Sequence, residues 1–193
     1  MARAAEMHRK TTETDVACRI DLDGTGKNSV DTGVGFLNHM LELFARHGLV
    51  DLAVKAKGDL HVDPHHTVED VGIVLGTVVR EALGERKGIR RFGFASVPMD
   101  EALAQVSVDI SGRGRAEVAG EVPDGAPITP SLVEGFLSAL AENAGVTLHA
   151  EIKRARDAHH GIEAIFKALG RALRAAVELD QREGGVPSTK GML

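Results

Sequence analysis

Two copies of a His-His-x-x-Glu pattern are the residues of this sequence most suited to chemistry. They lie in DPHHTVEDVGIVLG, residues 63–76, and in DAHHGIEAIFKALG, residues 157–170. The members are His65, His66, Glu69, His159, His160 and Glu163. Neutral imidazole and carboxylate suit Mn, Fe, Co, Ni or Zn, and the lack of thiolate ligands argues against a structural zinc site.

The spacing indicates how each pattern divides its ligands if it opens a helix. Helical residues three or four apart share a face, whereas adjacent residues diverge by about 100°. Glu69 can therefore meet His66 or His65, and Glu163 has the same choice of neighbours in the second copy. Each copy offers a His–carboxylate pair and one divergent histidine, which is what two metal ions need if each helix contributes to both.

Two further histidines complete a set of eight ligands. His39 lies in FLNHM and His149 in VTLHAEI, at similar stages of the two halves of the chain. Six imidazoles and two carboxylates divide into two sets of three His and one Glu, which leave positions on an octahedral ion for substrate or water. The remaining histidines are expected elsewhere: His8 in an N-terminal tail, His47 at a helix C-terminus and His61 on an exposed strand.

Composition and charge limit the class of protein. The chain has 193 residues, a net charge of −5 and a pI near 6.0, so it offers no basic stripe for nucleic acid. Its longest apolar stretch, about residues 71–79, is shorter than the roughly 20 residues of a membrane helix. The single cysteine, Cys18, suits a reducing compartment and is expected to be a buried hydrophobe. We therefore expect a cytoplasmic protein that binds neither nucleic acid nor membrane.

The hydrophobic periodicity predicts strands and helices that alternate along the chain. A turn at Asp23-Gly24 indicates a hairpin between two early strands. Thr129 is a candidate helix cap, with Pro130 in the first turn. Asp100 and Glu101 are interpreted as a helix cap and a first-turn acid outside the site. The helices are predicted over residues 35–48, 65–84, 129–145 and 159–180, and the C-terminal stretch 182–193 is predicted to be a loop.

The order of elements repeats once. Strands, a helix, a strand and a long helix occur in residues 1–90 and again in 91–193, and GFLNHM at 35 resembles GFLSAL at 135. Repetition at so long a period indicates internal duplication rather than a solenoid. We expect one domain of 1–193 built from two pseudo-symmetric α/β halves in two layers.

Six ordered motifs resemble those of a known family, the monofunctional imidazoleglycerol-phosphate dehydratases. The motifs are GFLNHML, DPHHTVEDVGIVLG, RFGFASVPMDEAL, DISGRG, HHGIEAIFKALGRAL and PSTKG. The resemblance implies a duplicated βαβ-type fold with left-handed crossovers, like domain 2 of ribosomal protein S5. It also implies two Mn(II) ions per active site and 24 subunits assembled from trimers, with sites shared between subunits.

The resemblance also assigns roles to residues. One implied ligand set is His39, His66, His160 and Glu163, and the other is His65, Glu69, His149 and His159. Glu13 matches the catalytic glutamate, with Glu69 and Glu163 as other carboxylates that could act as the base. The substrate-binding residues implied are Glu13, Arg91, Arg113, Ser188 and Lys190.

The implied reaction is the dehydration of imidazoleglycerol phosphate to imidazoleacetol phosphate in histidine biosynthesis. The proton to be removed lies on a carbon with no adjacent carbonyl, so a base alone would fail. Our hypothesis is that a metal-bound imidazolate expels the hydroxyl next to the ring and gives a diazafulvene intermediate. Two alternatives stay open on the residues alone: a dinuclear metallohydrolase of a small phosphorylated substrate, and a metal-storage cage.

Overall fold

The computed structural model describes residues 3–193, which form two similar series of elements. The first series is β1 (Ala4–Lys10), β2 (Thr14–Asp21), β3 (Asn28–Asp31), α1 (Gly35–Gly48), β4 (Asp51–Gly58) and α2 (His65–Leu83). The second series is β5 (Phe92–Met99), β6 (Ala102–Asp109), β7 (Arg115–Ala119), α3 (Pro130–Ala144), β8 (Thr147–Arg154) and α4 (Ala158–Val177). Each series forms a four-stranded sheet, in the orders β1-β2-β4-β3 and β5-β6-β8-β7.

The sheets confirm the duplicated α/β fold and correct one detail of its topology. In each sheet a parallel pair, β3–β4 or β7–β8, encloses a helix and forms the βαβ unit. The predicted hairpin is wrong, because β4 lies between β2 and β3 and pairs with both. Asp51 at the start of β4 organises this turn: its Oδ1 accepts the backbone N–H groups of Thr25 at 2.7 Å and Lys27 at 3.0 Å.

The N-terminal segment is a strand and not the tail that we expected. β1 pairs antiparallel with β2 along its whole length, and His8 Nε2 lies 2.6 Å from Asp15 Oδ1. β1 is an edge strand with no fully buried residue, and only Ala5 and Met7 pack against the core, so its apolar signal is weak. His61 also differs from expectation, since β4 ends at Gly58 and His61 lies in the following turn.

The four helices agree with the predicted ranges within two or three residues at each end. Thr129 caps α3 by accepting the Leu132 N–H at 3.3 Å, and Asp157 caps α4 by accepting the His160 N–H at 3.1 Å. Within residues 3–193, each helix is too short or too polar to cross a membrane.

Cys18 lies in β2 and is almost fully buried in the core. Burial raises the pKa of its thiol to about 12, because the apolar surroundings disfavour the thiolate. The thiol therefore stays protonated at neutral pH and packs as a small hydrophobic side chain.

The helices of the two series pack against each other, α1 on α4 and α2 on α3. Glycines permit the close approach. A Cβ added to Gly170 would lie 2.5 Å from the Phe44 carbonyl oxygen, and one added to Gly76 would lie 2.5 Å from that of Leu140. The two sheets consequently share one hydrophobic core, and the N-terminal part of α1 lies beside the start of α4.

We expect Gly170→Ala to destabilise the protein by about 1–3 kcal/mol, because its methyl group would collide with the backbone of α1. Gly135→Ala is the matched control, since within the described chain nothing lies within 4 Å of an added Cβ there. The control should be neutral or stabilising by up to about 1 kcal/mol through helix propensity. Urea unfolding of the metal-free proteins measures both changes, and equal stabilities would contradict the packing argument.

Candidate metal centre

Three of the predicted ligands meet where α1 packs on α4. His39 Nε2 lies 3.4 Å and His159 Nε2 lies 3.1 Å from the same oxygen, Oε2 of Glu163. The three ligand atoms lie within 4.8 Å of one another. His159 and Glu163 are four residues apart on α4 and therefore share a face, whereas His39 comes from the first half of the chain.

Neighbouring side chains fix the orientation of this cluster. The Lys167 ammonium lies 2.6 Å from the other carboxylate oxygen of Glu163, Oε1, so Oε2 is left to face the histidines. Burial opposes ionisation of Glu163, but Lys167 and the two imidazoles outweigh it and lower the pKa of the carboxyl. The rings of Phe36 and His159 pack edge to face, with 5.1 Å between their centroids.

The chemistry of these donors fits a divalent transition metal. Two imidazole nitrogens and one anionic oxygen converge on one point, and the ammonium of Lys167 is held by the oxygen that faces away. Such donors suit Mn(II) and its neighbours. Three ligands leave coordination positions for a further side chain and for a substrate.

The first histidine pairs with the glutamate in both copies of the pattern. His65 Nε2 lies 3.7 Å from Glu69 Oε2, and both side chains are more than half exposed. The resemblance instead implied His160 beside Glu163 and His39, with His159 in the other set. Within one chain the structure places His159 in that cluster, because the second histidine of each pattern points away along the helix surface.

The second histidines bind carboxylates that we did not identify from the sequence. His66 Nδ1 lies 3.0 Å from Asp59 Oδ2, and His160 Nδ1 lies 2.9 Å from Glu101 Oε2. These contacts raise the pKa of both histidines, because the carboxylates stabilise imidazolium. Both Nδ1 atoms are thus occupied, which leaves the Nε2 atoms as the candidate metal ligands.

Glu101 corrects an expectation. It lies in the turn between β5 and β6, not in the first turn of a helix, and Asp100 beside it has a φ of 48°. The hydrogen bond with His160, together with backbone N–H donors that include those of Asp157 and Arg156, lowers the pKa of Glu101 to about 2. The carboxylate is therefore ionised at neutral pH.

His149 lies apart from the cluster. It is exposed on β8, between the buried residues Leu148 and Ala150, and so faces outward from the sheet and away from the helices. Ser107 and Glu117 are its cross-strand neighbours. His149 therefore cannot complete the cluster of its own chain without disrupting the sheet.

His39 and His149 are not structural equivalents, although the sequence places both at similar stages of the two halves. Leu49 and Gly145 are the left-handed C-caps of α1 and α3. His39 precedes the first and Gly135 precedes the second by the same number of residues, so Gly135 is the structural counterpart of His39. The helix beside α2 therefore has no histidine to complete a second cluster. Aligning GFLNHM with GFLSAL by sequence therefore differs from the structural alignment of α1 with α3 by four residues, about one helical turn.

Comparison with known proteins identifies the family of the chain. A sequence model of the imidazoleglycerol-phosphate dehydratase family matches residues 32–173. The chain is 56% identical over 191 residues to the imidazoleglycerol-phosphate dehydratase of Clostridium botulinum, covering 98% of this chain and 97% of that one. It is 55% identical over 193 residues to that of Desulforamulus reducens, with 99% and 98% covered.

Two solved structures match as well. One is the imidazoleglycerol-phosphate dehydratase of Pyrococcus furiosus, determined in complex with (S)-C348: TM-score 0.85, 39% identity, with 97% of this chain and all of that chain covered. The other is that of Staphylococcus aureus, with a TM-score of 0.82, 38% identity and 92% and 99% covered.

The chain belongs to the imidazoleglycerol-phosphate dehydratase family. The family expected from the six motifs is confirmed, and so is the enzyme class, a hydro-lyase. The matches favour neither the metallohydrolase nor the metal-storage cage.

Glu13, which the resemblance led us to expect as the catalytic glutamate, lies near His66 of the first half. Glu13 occupies the turn between β1 and β2, where its backbone N–H donates to Thr11 Oγ1 at 3.1 Å. Its Oε2 lies 3.8 Å from His66 Nδ1, and its side chain is 54% exposed. The bond to Thr11 holds the backbone of Glu13, whereas the carboxylate oxygens remain accessible to a substrate.

The four basic and hydroxyl residues expected to hold the dehydratase substrate differ in availability. Arg113 is exposed and makes no ion pair within residues 3–193. Lys190 is exposed on the C-terminal tail, where its backbone N–H donates to Ser188 Oγ at 3.2 Å. Arg91 is already engaged: it binds Asp109 through Nε at 2.7 Å and donates through Nη1 to the Pro187 carbonyl at 3.0 Å. Arg91 thus ties β6 to the tail that carries Ser188 and Lys190.

Proposed function

We propose that this protein catalyses the Mn(II)-dependent dehydration of imidazoleglycerol phosphate to imidazoleacetol phosphate in histidine biosynthesis, in the cytoplasm. The observation that carries the proposal is the cluster of His39, His159 and Glu163 in a chain of the dehydratase family. A storage cage would leave the open carboxylate of Glu13 without a role.

The eight ligands divide between two Mn(II) ions per active site. One set contains the His39, His159 and Glu163 cluster, and its fourth member is His66. The other set contains the remaining ligands, His65, Glu69, His149 and His160. This division keeps each glutamate with the histidine that precedes it by four residues, as the distances of 3.1 Å and 3.7 Å support.

The ligands come from more than one subunit. In one chain the cluster has three members, whereas His149 faces outward from the second sheet and the helix beside α2 carries Gly135 in place of a histidine. Sites shared between subunits, in a shell of 24 built from trimers, would complete both sets. Each subunit would be a single domain of 1–193, with halves of about 1–90 and 91–193.

The phosphate would be held by Arg113, Ser188 and Lys190. An arginine that makes no ion pair within residues 3–193 and an exposed ammonium suit charge-assisted hydrogen bonds to a phosphate dianion. Arg91 acts chiefly by holding the tail, because its guanidinium is already bound to Asp109 and to the Pro187 carbonyl. Its interaction with the phosphate would then be electrostatic or would require this contact to rearrange.

The residues of the chain then perform the dehydration. Bound Mn(II) supplies Lewis-acid stabilisation of the deprotonated imidazole ring. The hydroxyl on the carbon next to the ring takes up the proton lost by the ring nitrogen and departs as water. Glu13 then removes the proton from C2 as the ring nitrogen is reprotonated, and the resulting enol tautomerises to the ketone. A positioned general base contributes about 10²–10⁴-fold.

A direct assay tests the proposal. The protein is stripped of metal with EDTA, reloaded with Mn(II) and incubated with imidazoleglycerol phosphate while imidazoleacetol phosphate is measured. We expect the ketone only after reloading. Release of inorganic phosphate would indicate the hydrolase, and full activity in the stripped protein would refute the metal-dependent mechanism.

A further inference from the structure

Glu13 and Glu101 hold equivalent positions in the two halves of the chain. Glu13 immediately precedes β2, and Glu101 immediately precedes β6. The last residue of β2 pairs with the first residue of β4, and the last residue of β6 pairs with the first of β8. Since β2 and β6 are both eight residues long, the two glutamates have the same place along these strands, although the β6–β8 ladder shifts register between Leu103 and Ala104.

Their contacts nevertheless differ. Both oxygens of Glu101 are committed: Oε2 lies 2.9 Å from His160 Nδ1, while Oε1 accepts the N–H groups of Arg156 at 3.2 Å and Asp157 at 3.0 Å. Glu13 makes no such bond in the described chain, and its closest approach to His66 Nδ1 is 3.8 Å.

Asp59 accounts for the difference. It follows β4 directly and takes the His66 Nδ1 position at 3.0 Å, which leaves Glu13 unbound. The residue that follows β8 directly is Ala155, which has no carboxylate. In the second half, therefore, Glu101 of the turn is the carboxylate that contacts His160 Nδ1.

We infer that Glu101 is the positioning residue of His160, and that its carboxylate fixes the tautomer in which Nδ1 carries the proton and Nε2 is free to bind metal. This inference rests on the proposed function, in which His160 is a ligand. A carboxylate that accepts from the remote nitrogen of a metal-binding histidine sets the ring's orientation and raises its basicity. The twin carboxylates have thus diverged: Glu101 orients a ligand, and Glu13 remains available to the substrate.

The two oxygens of Glu101 make a sharp test possible. In Glu101→Gln, the backbone N–H groups of Arg156 and Asp157 retain the amide oxygen, so the amide NH₂ faces His160 Nδ1. That donor forces Nδ1 to accept, and the proton moves to Nε2, where it blocks metal binding. In Glu101→Ala, Nδ1 is open to water and either tautomer can form. If Glu101 sets the tautomer of His160, Glu101→Gln should weaken metal binding more than Glu101→Ala does. If Glu101 matters only for folding, Glu101→Ala should be the more harmful change.

The experiment titrates metal-free proteins with Mn(II) and follows the free ion by electron paramagnetic resonance, with thermal unfolding of each metal-free protein as the folding check. We expect about 100-fold weaker binding of one of the two ions in Glu101→Gln and about 10-fold in Glu101→Ala. Glu134→Gln, an exposed glutamate on α3, is the control and should bind as the unaltered protein does.

The outcomes separate two failures. The positioning role is wrong, while the proposed function stands, if the unaltered protein takes up Mn(II) and Glu101→Gln binds it as tightly. The same conclusion follows if Glu101→Ala weakens Mn(II) binding more than Glu101→Gln does. If the unaltered protein takes up no Mn(II), the proposed function fails and the role of Glu101 fails with it.

Discussion

Glu13→Gln is expected to lower kcat by about 10²–10⁴-fold while both Mn(II) ions stay bound. The amide has the size of the carboxylate but cannot accept a proton. The turn should keep its shape, because Thr11 holds the backbone of Glu13 rather than its side chain. The substituted side chain loses no ion-pair partner closer than His66 Nδ1 at 3.8 Å, and that atom is already bound to Asp59.

Steady-state kinetics at saturating Mn(II) measure this effect, and a parallel Mn(II) titration verifies that the metals remain. Glu101→Gln is the natural comparison, since the same substitution at the equivalent turn should weaken metal binding instead. Retained turnover in Glu13→Gln would remove Glu13 from the role of base. Glu69 and Glu163 would then be the remaining carboxylates to examine.

The sequence predicted most of the local structure because helix periodicity and caps are local signals. The apolar spacing gave α1 at residues 35–48, and the Thr129 cap gave the start of α3. Strand order depends on contacts far apart in the chain. The insertion of β4 between β2 and β3 therefore could not be inferred from the Asp23-Gly24 turn.

The candidate site shows the same limit. The doubled motif identifies four histidines and two glutamates by type and spacing alone. Their supporting carboxylates come from distant positions: Glu101 precedes His160 by 59 residues, and it reaches that histidine only because β6 and β8 are neighbours in the sheet. The choice between His159 and His160 as the partner of Glu163 likewise required side-chain geometry.

Glu163→Gln and Glu69→Gln should each remove one metal ion, but only Glu163→Gln should also destabilise the metal-free protein. In Glu163→Gln, Lys167 retains the amide oxygen of the new side chain, so the NH₂ group faces His39 and His159 and offers no lone pair to a cation. Removing a carboxylate that only supports a metal ligand lowers metal affinity by up to roughly 100-fold. Because Glu163 is itself a proposed ligand, we expect Glu163→Gln to lower Mn(II) affinity by more than that.

The stability difference follows from burial. Glu163 and Lys167 form a largely buried ion pair whose side chains are 7% and 16% exposed. Neutralising Glu163 leaves the charge of Lys167 uncompensated, at a cost of about 3 kcal/mol. Glu69 is 52% exposed, and the residue equivalent to Lys167 in the first half is Ile73, so Glu69→Gln should leave stability nearly unchanged. Urea unfolding of the metal-free variants and metal analysis of the reloaded ones measure the two effects separately. Equal stabilities for the two variants would mean that Lys167 does not hold Glu163 in the folded protein, and two ions retained by either variant would remove that glutamate from the ligand set.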